Sequence, residues 1–237
     1  MSKKLSIVVP VFNESQYIIR SLENILNTKI PAWKSEIIVV NDGSTDNTLS
    51  LLKEIKKRFP DLELISTPVN YGKGSALKKG IHKTSGDVVI VQDGDLEYDP
   101  SDFRAILEKY SNKDTNVVYG SRILGAKIYH NYSANVFYLM GGIMLTKVVN
   151  LLFGIRITDQ PTCYKSWRGN LSEGLLEYCR KIGFEMEIEM TSFFSKVGGI
   201  CEVPIHYYPR TVNHGKKIRL TDFFKSVATA LNCRFFR

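Results

Sequence analysis

Apolar runs at Leu5–Val9, Ile37–Val40, Leu62–Ile65, Val88–Val91 and Val117–Tyr119 alternate along the chain with stretches of helical period at Gln16–Asn27, Thr48–Phe59, Ser75–Lys83 and Asp102–Tyr110. Short runs with no polar alternation are the mark of strands buried on both faces, and the longer amphipathic stretches are the helices that cover them. This βαβα order predicts an α/β chain: a mostly parallel sheet flanked by helices and joined by right-handed crossovers. Ligands of such sheets bind beyond the carboxyl ends of the strands, where the strand order reverses. Three predicted strands end in polar clusters: Pro10-Val11-Phe12-Asn13-Glu14, Asn41-Asp42-Gly43-Ser44 and Asp93-Gly94-Asp95. If all three ends belong to one sheet, Glu14, Asp42 and the Asp93/Asp95 pair form an acidic rim around one pocket. Each cluster also has a local reading, because Asn13-Glu14-Ser15 and Asp42 to Asp46 are good helix caps and Asp-Gly is a common turn.

Asp93-Gly94-Asp95 carries the sharpest chemistry. Two carboxylates one residue apart at the end of a buried strand deliver hard oxygen ligands to one point, as Mg²⁺ or Mn²⁺ bridging a diphosphate requires. Neither G-x-G-x-x-G after the first strand nor G-x-x-x-x-G-K-[ST] occurs, so the dinucleotide and P-loop modes of holding a nucleotide lose their main support. With 237 residues, 43% hydrophobic and 24% charged, the chain is long enough for one domain with a sizeable core. Cys163, Cys179, Cys201 and Cys233 lie far apart with no C-x-x-C pair, which predicts reduced structural thiols rather than a zinc site or a disulfide framework. The opening residues show no secretory signal, so a cytoplasmic chain is expected. The net charge of +8 is uneven: seven Lys/Arg against the single acid Asp222 between Arg210 and Arg237 suggest an anionic partner near that end.

The blocks Ile7-Val8-Val9-Pro10-Val11-Phe12-Asn13-Glu14, Val39-Val40-Asn41-Asp42-Gly43-Ser44-Thr45-Asp46 and Asn70-Tyr71-Gly72-Lys73-Gly74 resemble the family-two inverting glycosyltransferases in content, order and spacing. Downstream, Val118-Tyr119-Gly120-Ser121-Arg122, Thr158-Asp159-Gln160-Pro161-Thr162-Cys163-Tyr164-Lys165, Gly183-Phe184-Glu185-Met186-Glu187-Ile188, Tyr207-Tyr208-Pro209-Arg210-Thr211 and His214-Gly215-Lys216-Lys217-Ile218 are similar to the dolichyl-phosphate mannose synthase branch, which uses a polyprenyl-phosphate acceptor. The likeness covers nearly the whole chain. It implies a nucleotide-diphospho-sugar transferase (A-type glycosyltransferase) fold in a single domain. Residues 1–125 would form the nucleotide-sugar and metal half, and residues 126–237 the acceptor-side half.

Residue by residue, the resemblance implies that Pro10, Phe12, Glu14 and Asp42 hold the nucleoside and that Asp93 and Asp95 bind Mg²⁺ or Mn²⁺. Glu97 joins them as a metal candidate, standing where several such synthases place a Gln ligand, with a place beside the ligands or facing solvent as the alternative. Lys73, Arg210 and Lys216 are expected at the donor diphosphate, although Gly72-Lys73-Gly74 also reads as a flexible helix start and the basic residues as a solvated tail. Arg122, with Ser121 beside it, is expected at the acceptor phosphate, together with Asp159 and Glu185. The implied reaction moves mannose or glucose from a GDP or UDP sugar onto polyprenyl or dolichyl phosphate with inversion. A phosphate acceptor is already ionised near neutral pH, whereas a hydroxyl acceptor needs a base, for which Asp159, Glu185 and Glu187 are the candidates. Two alternatives stay open: transfer to a glycan or protein hydroxyl, and a non-catalytic nucleotide-sugar-binding subunit. No nucleic-acid partner is implied.

Two stretches resist the simple pattern. Phe184 to Met190 alternates with period two, as a strand would, where the resemblance places the start of a helix. Tyr132 to Ile155 is rich in apolar residues, but Gly141-Gly142, Lys147 and Asn150 make it a poor spanning helix. The resemblance implies helices lying at the cytoplasmic face of a membrane, with the basic C-terminal segment near anionic lipid; burial in the core or in a homodimer is the competing expectation. Many enzymes of this branch continue into membrane-spanning helices, whereas the sequence stops at Arg237, so both a monotopic enzyme and a longer membrane protein fit.

Overall fold

A computed structural model describes residues 3–129, 136–210 and 220–237, at 136–138 and 220 as backbone alone. Strand β1 (Lys3–Val11) is buried from Leu5 onward and lies inside the sheet with a neighbour on each side. Its neighbours are β2 (Trp33–Asn41) and β4 (Val88–Val91), both parallel to it, with Ile7 opposite Ile37 and Ile90. β3 (Glu63–Ser66) extends the sheet beyond β2. On the other side, β6 (Lys165–Arg168) runs antiparallel between β4 and β5 (Val117–Ser121), and β7 (Ile200–Pro204) closes the edge parallel to β5. The order is β3-β2-β1-β4-β6-β5-β7. The chain therefore builds outward from β1 through β2 to β3, then returns to place β4 on the opposite flank of β1. That reversal puts the carboxyl ends of β1, β2 and β4 side by side.

Helices α1 (Ile18–Asn27), α2 (Thr48–Arg58), α3 (Lys73–Ile81) and α4 (Phe103–Lys109) cover the sheet in the alternation read from the sequence, followed by α5 (Arg122–Tyr129), α6 (Val136–Phe153), α7 (Ser172–Tyr178), α8 (Met186–Val197) and α9 (Leu220–Phe236). The main core runs from Leu5 to Ile205 and joins residues of both halves of the chain. Phe184 and Glu185 form a turn and Met186 to Met190 open helix α8, so the stretch does not form a strand. Met186, Ile188, Glu189, Met190, Thr191, Ser192 and Phe194 are all buried, so the helix is covered almost all round and its 3.6-residue period is hidden in the sequence.

A second, smaller core joins Leu145 and Val149 of α6, Ile188 of α8 and Ala230 of α9. Met140, Met144 and Leu151 on α6 and Phe224, Phe235 and Phe236 on α9 are exposed. Among the described residues no helix is long and apolar enough to cross a membrane.

Candidate donor and acceptor site

The loop after β1 and the loop after β2 are laced together. The Asn13 N–H donates to Ser44 Oγ at 2.9 Å, and the Glu14 N–H donates to Thr48 Oγ1 at 2.9 Å. The Glu14 carbonyl receives the N–H of Ile18 at 2.9 Å and so starts α1, while its carboxylate stays buried at the pocket wall. No side chain of Asn13-Glu14-Ser15 caps α1, whose N-cap is Tyr17, so Glu14 serves the helix through its backbone carbonyl alone. Asp42 is buried too, and its carboxylate accepts the N–H groups of Tyr71 (3.2 Å) and Gly72 (2.7 Å). This grip shapes the turn into α3, where Gly72 has φ +105°, a conformation L side chains rarely adopt. Lys73 follows as the first residue of the helix.

The Lys73 ammonium reaches Asp93 at 2.9 Å and Glu187, from α8, at 2.8 Å. Glu187 meets a second cation, Lys165 of β6, at 3.0 Å, and Lys165 also donates to the Thr162 carbonyl. Asp93, Lys73, Glu187 and Lys165 therefore form a buried chain of alternating charge. Burial acts to raise the Glu187 pKa, but Lys165 and Lys73 outweigh it and hold the carboxyl down to about 2. Burial likewise opposes the charge on Lys73, yet Asp93 and Glu187 drive its pKa well above the usual lysine value.

Arg210 enters the other side of the rim. Its guanidinium donates to Asp95 Oδ2 at 2.7 Å and to Glu14 Oε2 at 3.0 Å. Its buried Nε has no hydrogen-bond partner among the described residues, Glu97 Oε1 lying 3.5 Å away. Glu97 accepts the Tyr207 phenol on Oε2 and the Arg210 N–H on Oε1, each at 2.9 Å. Burial first, then the charges of Asp93 and Glu97, lift the Asp95 carboxyl to about 7 against the pull of Arg210. Such a cluster carries more negative charge than its own cations balance, and its hard oxygens match the chemistry of Mg²⁺ or Mn²⁺. Lys73 and Arg210 take up those oxygens here, and among the described residues no three His, Cys, Asp or Glu side chains are grouped as a ready metal cage.

Elsewhere on the cavity wall, Arg122 begins α5 and is clamped by Asp159: Nε and Nη2 each donate to the carboxylate at 2.8 Å, and Nη2 also reaches the Pro161 carbonyl at 3.1 Å. Asp159 is buried, with its charge committed to this bidentate pair. Ser121 is buried behind it, its Oγ accepting the Leu124 N–H at 3.1 Å and lying 2.6 Å from Thr158 Oγ1, so it caps α5 and does not reach the cavity. Glu185, half-buried at the start of α8, also lies off the cavity wall. Lys216 falls outside the described residues.

One cavity of about 1840 Å³ joins these parts. Pro10, Phe12, Glu14, Asp42, Lys73, Asp93, Asp95, Glu97, Arg122 and Arg210 line its polar side. Met140, Ile143, Met144 and Lys147, at helical spacing on α6, face it with Phe223 and Lys225 of α9. Lys165 and Tyr207 stand inside motif blocks without an assigned role; each meets its carboxylate, Glu187 and Glu97, only through partners 22 and 110 residues away.

The profile of the family described as glycosyl transferase family 2 matches residues 6–163. Among curated proteins, a dolichyl-phosphate beta-glucosyltransferase of Trichomonas vaginalis is 34% identical over 52% of this chain and 41% of its own length. A dolichol-phosphate mannosyltransferase of Pyrococcus furiosus is 28% identical over 90% of this chain and 59% of its own length. An undecaprenyl-phosphate 4-deoxy-4-formamido-L-arabinose transferase of Yersinia pestis is 26% identical, with 97% of this chain and 68% of that protein matched. The chain thus spans 41% to 68% of the length of these relatives. Among solved structures, glucosyl-3-phosphoglycerate synthase of Mycobacterium tuberculosis with uridine diphosphate superposes at a TM-score of 0.71 and 20% identity, covering 98% of this chain and 80% of that one. The same enzyme with Mn²⁺ and UDP-glucose superposes at 0.66 with 19% identity, covering 98% and 79%. At these identities the likeness establishes the fold.

Proposed function

The chain belongs to glycosyl transferase family 2, and from that premise we propose that it transfers a hexose, mannose or glucose, from a GDP or UDP sugar to a polyprenyl or dolichyl phosphate with inversion. The observation that carries this reading is the single cavity that runs from a rim of carboxylates and cations to an apolar stripe on α6 ending in Lys147. The polar end suits a nucleoside diphosphate, and the apolar end suits a lipid whose head must reach the donor. The names of the relatives, all sugar transferases to dolichyl or undecaprenyl phosphate, support the same acceptor class.

Asp93 and Asp95 would hold Mg²⁺ or Mn²⁺, which when bound supplies positive charge against the leaving diphosphate. Glu14 and Asp42 stand on the nucleoside side, with Pro10 and Phe12 as the apolar wall. Lys73 and Arg210 are the cations that face the diphosphate, Arg210 offering a planar fork for phosphate oxygens. Arg122 presents a rigid cation to the acceptor phosphate. A phosphate nucleophile attacks without losing a proton, and this fits the local chemistry: Asp159 is tied to Arg122 and Glu187 is held near 2, so neither is a useful base at neutral pH. The exposed apolar faces of α6 and α9 would rest on a membrane surface, bringing the lipid to the cavity.

The test is transfer of radiolabel from GDP-mannose and UDP-glucose, in parallel, to a short polyprenyl phosphate with Mn²⁺ or Mg²⁺. Metal-dependent counts in the organic phase support the reading and name the donor. Slow hydrolysis of donor without lipid labelling would move the acceptor to a hydroxyl.

A further inference from the structure

Helix α6 is apolar over most of its 18 residues, and Thr146, Lys147 and Asn150 interrupt it in its second half. Two of these side chains find partners in the segment that follows the helix. The Thr146 hydroxyl accepts the Gln160 N–H at 3.1 Å, while the Asn150 amide donates to the Ile157 carbonyl at 2.8 Å and accepts the Ile157 N–H at 3.1 Å. Gly142, one turn before Thr146, lies so near Pro161 that a Cβ would stand 3.3 Å from its ring. Residues 142–150 of α6 are thus fastened to residues 157–161, whose Asp159 carboxylate and Pro161 carbonyl hold the Arg122 guanidinium. Lys147 is the interruption left over. It is the one charged residue of α6, it is exposed, and it lines the cavity one turn beyond Ile143 and Met144. Among the described residues it has neither a hydrogen-bond nor an ion-pair partner.

The cations that the described residues give to the cavity wall divide into two sets. Lys73, Arg122 and Arg210 are each engaged by a carboxylate, Asp93, Asp159 and Asp95 respectively. Lys147 and the exposed Lys225 of α9 line the same cavity and pair with no described residue. We propose that Lys147, with Lys225, binds the phosphate head of the lipid acceptor at the apolar end of the cavity, supplying the charge that the Arg122–Asp159 pair does not. This deepens the polyprenyl-phosphate reading and rests on it. A phosphate monoester carries close to two negative charges at neutral pH, whereas Arg122 and Asp159 together are neutral. A lysine ammonium is a compact charge with three donors on a flexible stem, suited to a head group that enters on a mobile lipid chain. The bonds from Thr146 and Asn150 fix the helix that carries Lys147 relative to Arg122, so both groups can address one phosphate.

The test uses a short polyprenyl phosphate in nonionic detergent, with Mn²⁺ and the donor that labels it. Lys147→Gln is expected to raise the acceptor KM about fivefold, and Lys147→Gln with Lys225→Gln about twentyfold, with kcat, donor KM and melting temperature close to wild type. Lys147→Arg keeps the charge and should stay within about twofold of wild type. Added KCl should raise the wild-type acceptor KM, and the double variant should lose most of that dependence. An unchanged acceptor KM in the double variant overturns the inference while the function stands; if partition onto anionic vesicles falls in the same variant, the lysines serve the membrane surface instead. A donor KM that rises in step with the acceptor KM, or a Lys147→Arg variant as impaired as Lys147→Gln, also overturns it. A wild-type protein that labels no polyprenyl phosphate overturns the function and the phosphate site together.

Discussion

Glu187→Gln removes the central anion of the buried chain Asp93–Lys73–Glu187–Lys165. The carboxyl is held at about 2 against an ordinary 4.5, and it is only 14% exposed. At 1.36 kcal/mol per pH unit that displacement corresponds to roughly 3 kcal/mol of stability at pH 7. Because the folded-state pKa is depressed, the contribution is complete above about 4.5 and is lost as pH falls from there towards 2. The variant also leaves Lys165 without its carboxylate partner, so a total deficit of about 3–5 kcal/mol at pH 7 is expected. Urea unfolding followed through the buried Trp167 measures it. Between pH 7 and pH 5 the gap to wild type should hold nearly constant; at pH 4 it should be roughly 0.8 kcal/mol smaller. Glu187→Leu combined with Lys165→Met, which removes anion and partner together, should recover much of the loss. A deficit under about 1 kcal/mol at pH 7, or one that does not narrow between pH 5 and pH 4, would refute the reasoning.

Asp95→Asn should abolish metal-dependent transfer, and retention of full activity would show that the carboxylate pair does not hold the cation. Gly74→Ala places a Cβ 2.7 Å from the Gly183 carbonyl, pressing α3 away from the 182–183 backbone that receives the Ser75 N–H; a loss of about 1–3 kcal/mol in urea unfolding is expected, with a raised donor KM. Leu151→Ser combined with Phe236→Ser strips exposed apolar side chains from α6 and α9 and should lower partition onto anionic lipid vesicles by about tenfold in a flotation assay, each side chain being worth at most about 1.5–3 kcal/mol when buried.

The strands that built the carboxylate rim were legible because Ile7–Val9 of β1, Ile37–Val40 of β2 and Val88–Val91 of β4 are buried apolar runs that end in polar clusters, so the runs and the clusters after them located both the sheet and the pocket. β6 was not legible. Its four residues, Lys165 to Arg168, begin with a lysine that is fully buried only because Glu187 arrives from α8, a partner 22 residues away that no local pattern reveals. β7 is short, half-buried and ends in Pro204, as an edge position tolerates. Helix α8 was hidden by burial on nearly every side. In the site, carboxylates could be named from motif position, but their present partners could not: Arg210 among Glu14, Asp95 and Glu97, and Ser121 turned inward to cap α5, are products of long-range packing.

The claim that the acceptor is a phosphate, attacking without a general base, is tested most directly by offering the protein, one donor and Mn²⁺ two lipids that differ only in that group: polyprenyl phosphate and the corresponding polyprenol. The account predicts labelling of the phosphate alone, at a rate that changes little from pH 7 to pH 9. Labelling of polyprenol at a comparable rate, rising with pH as a base titrates, would contradict it.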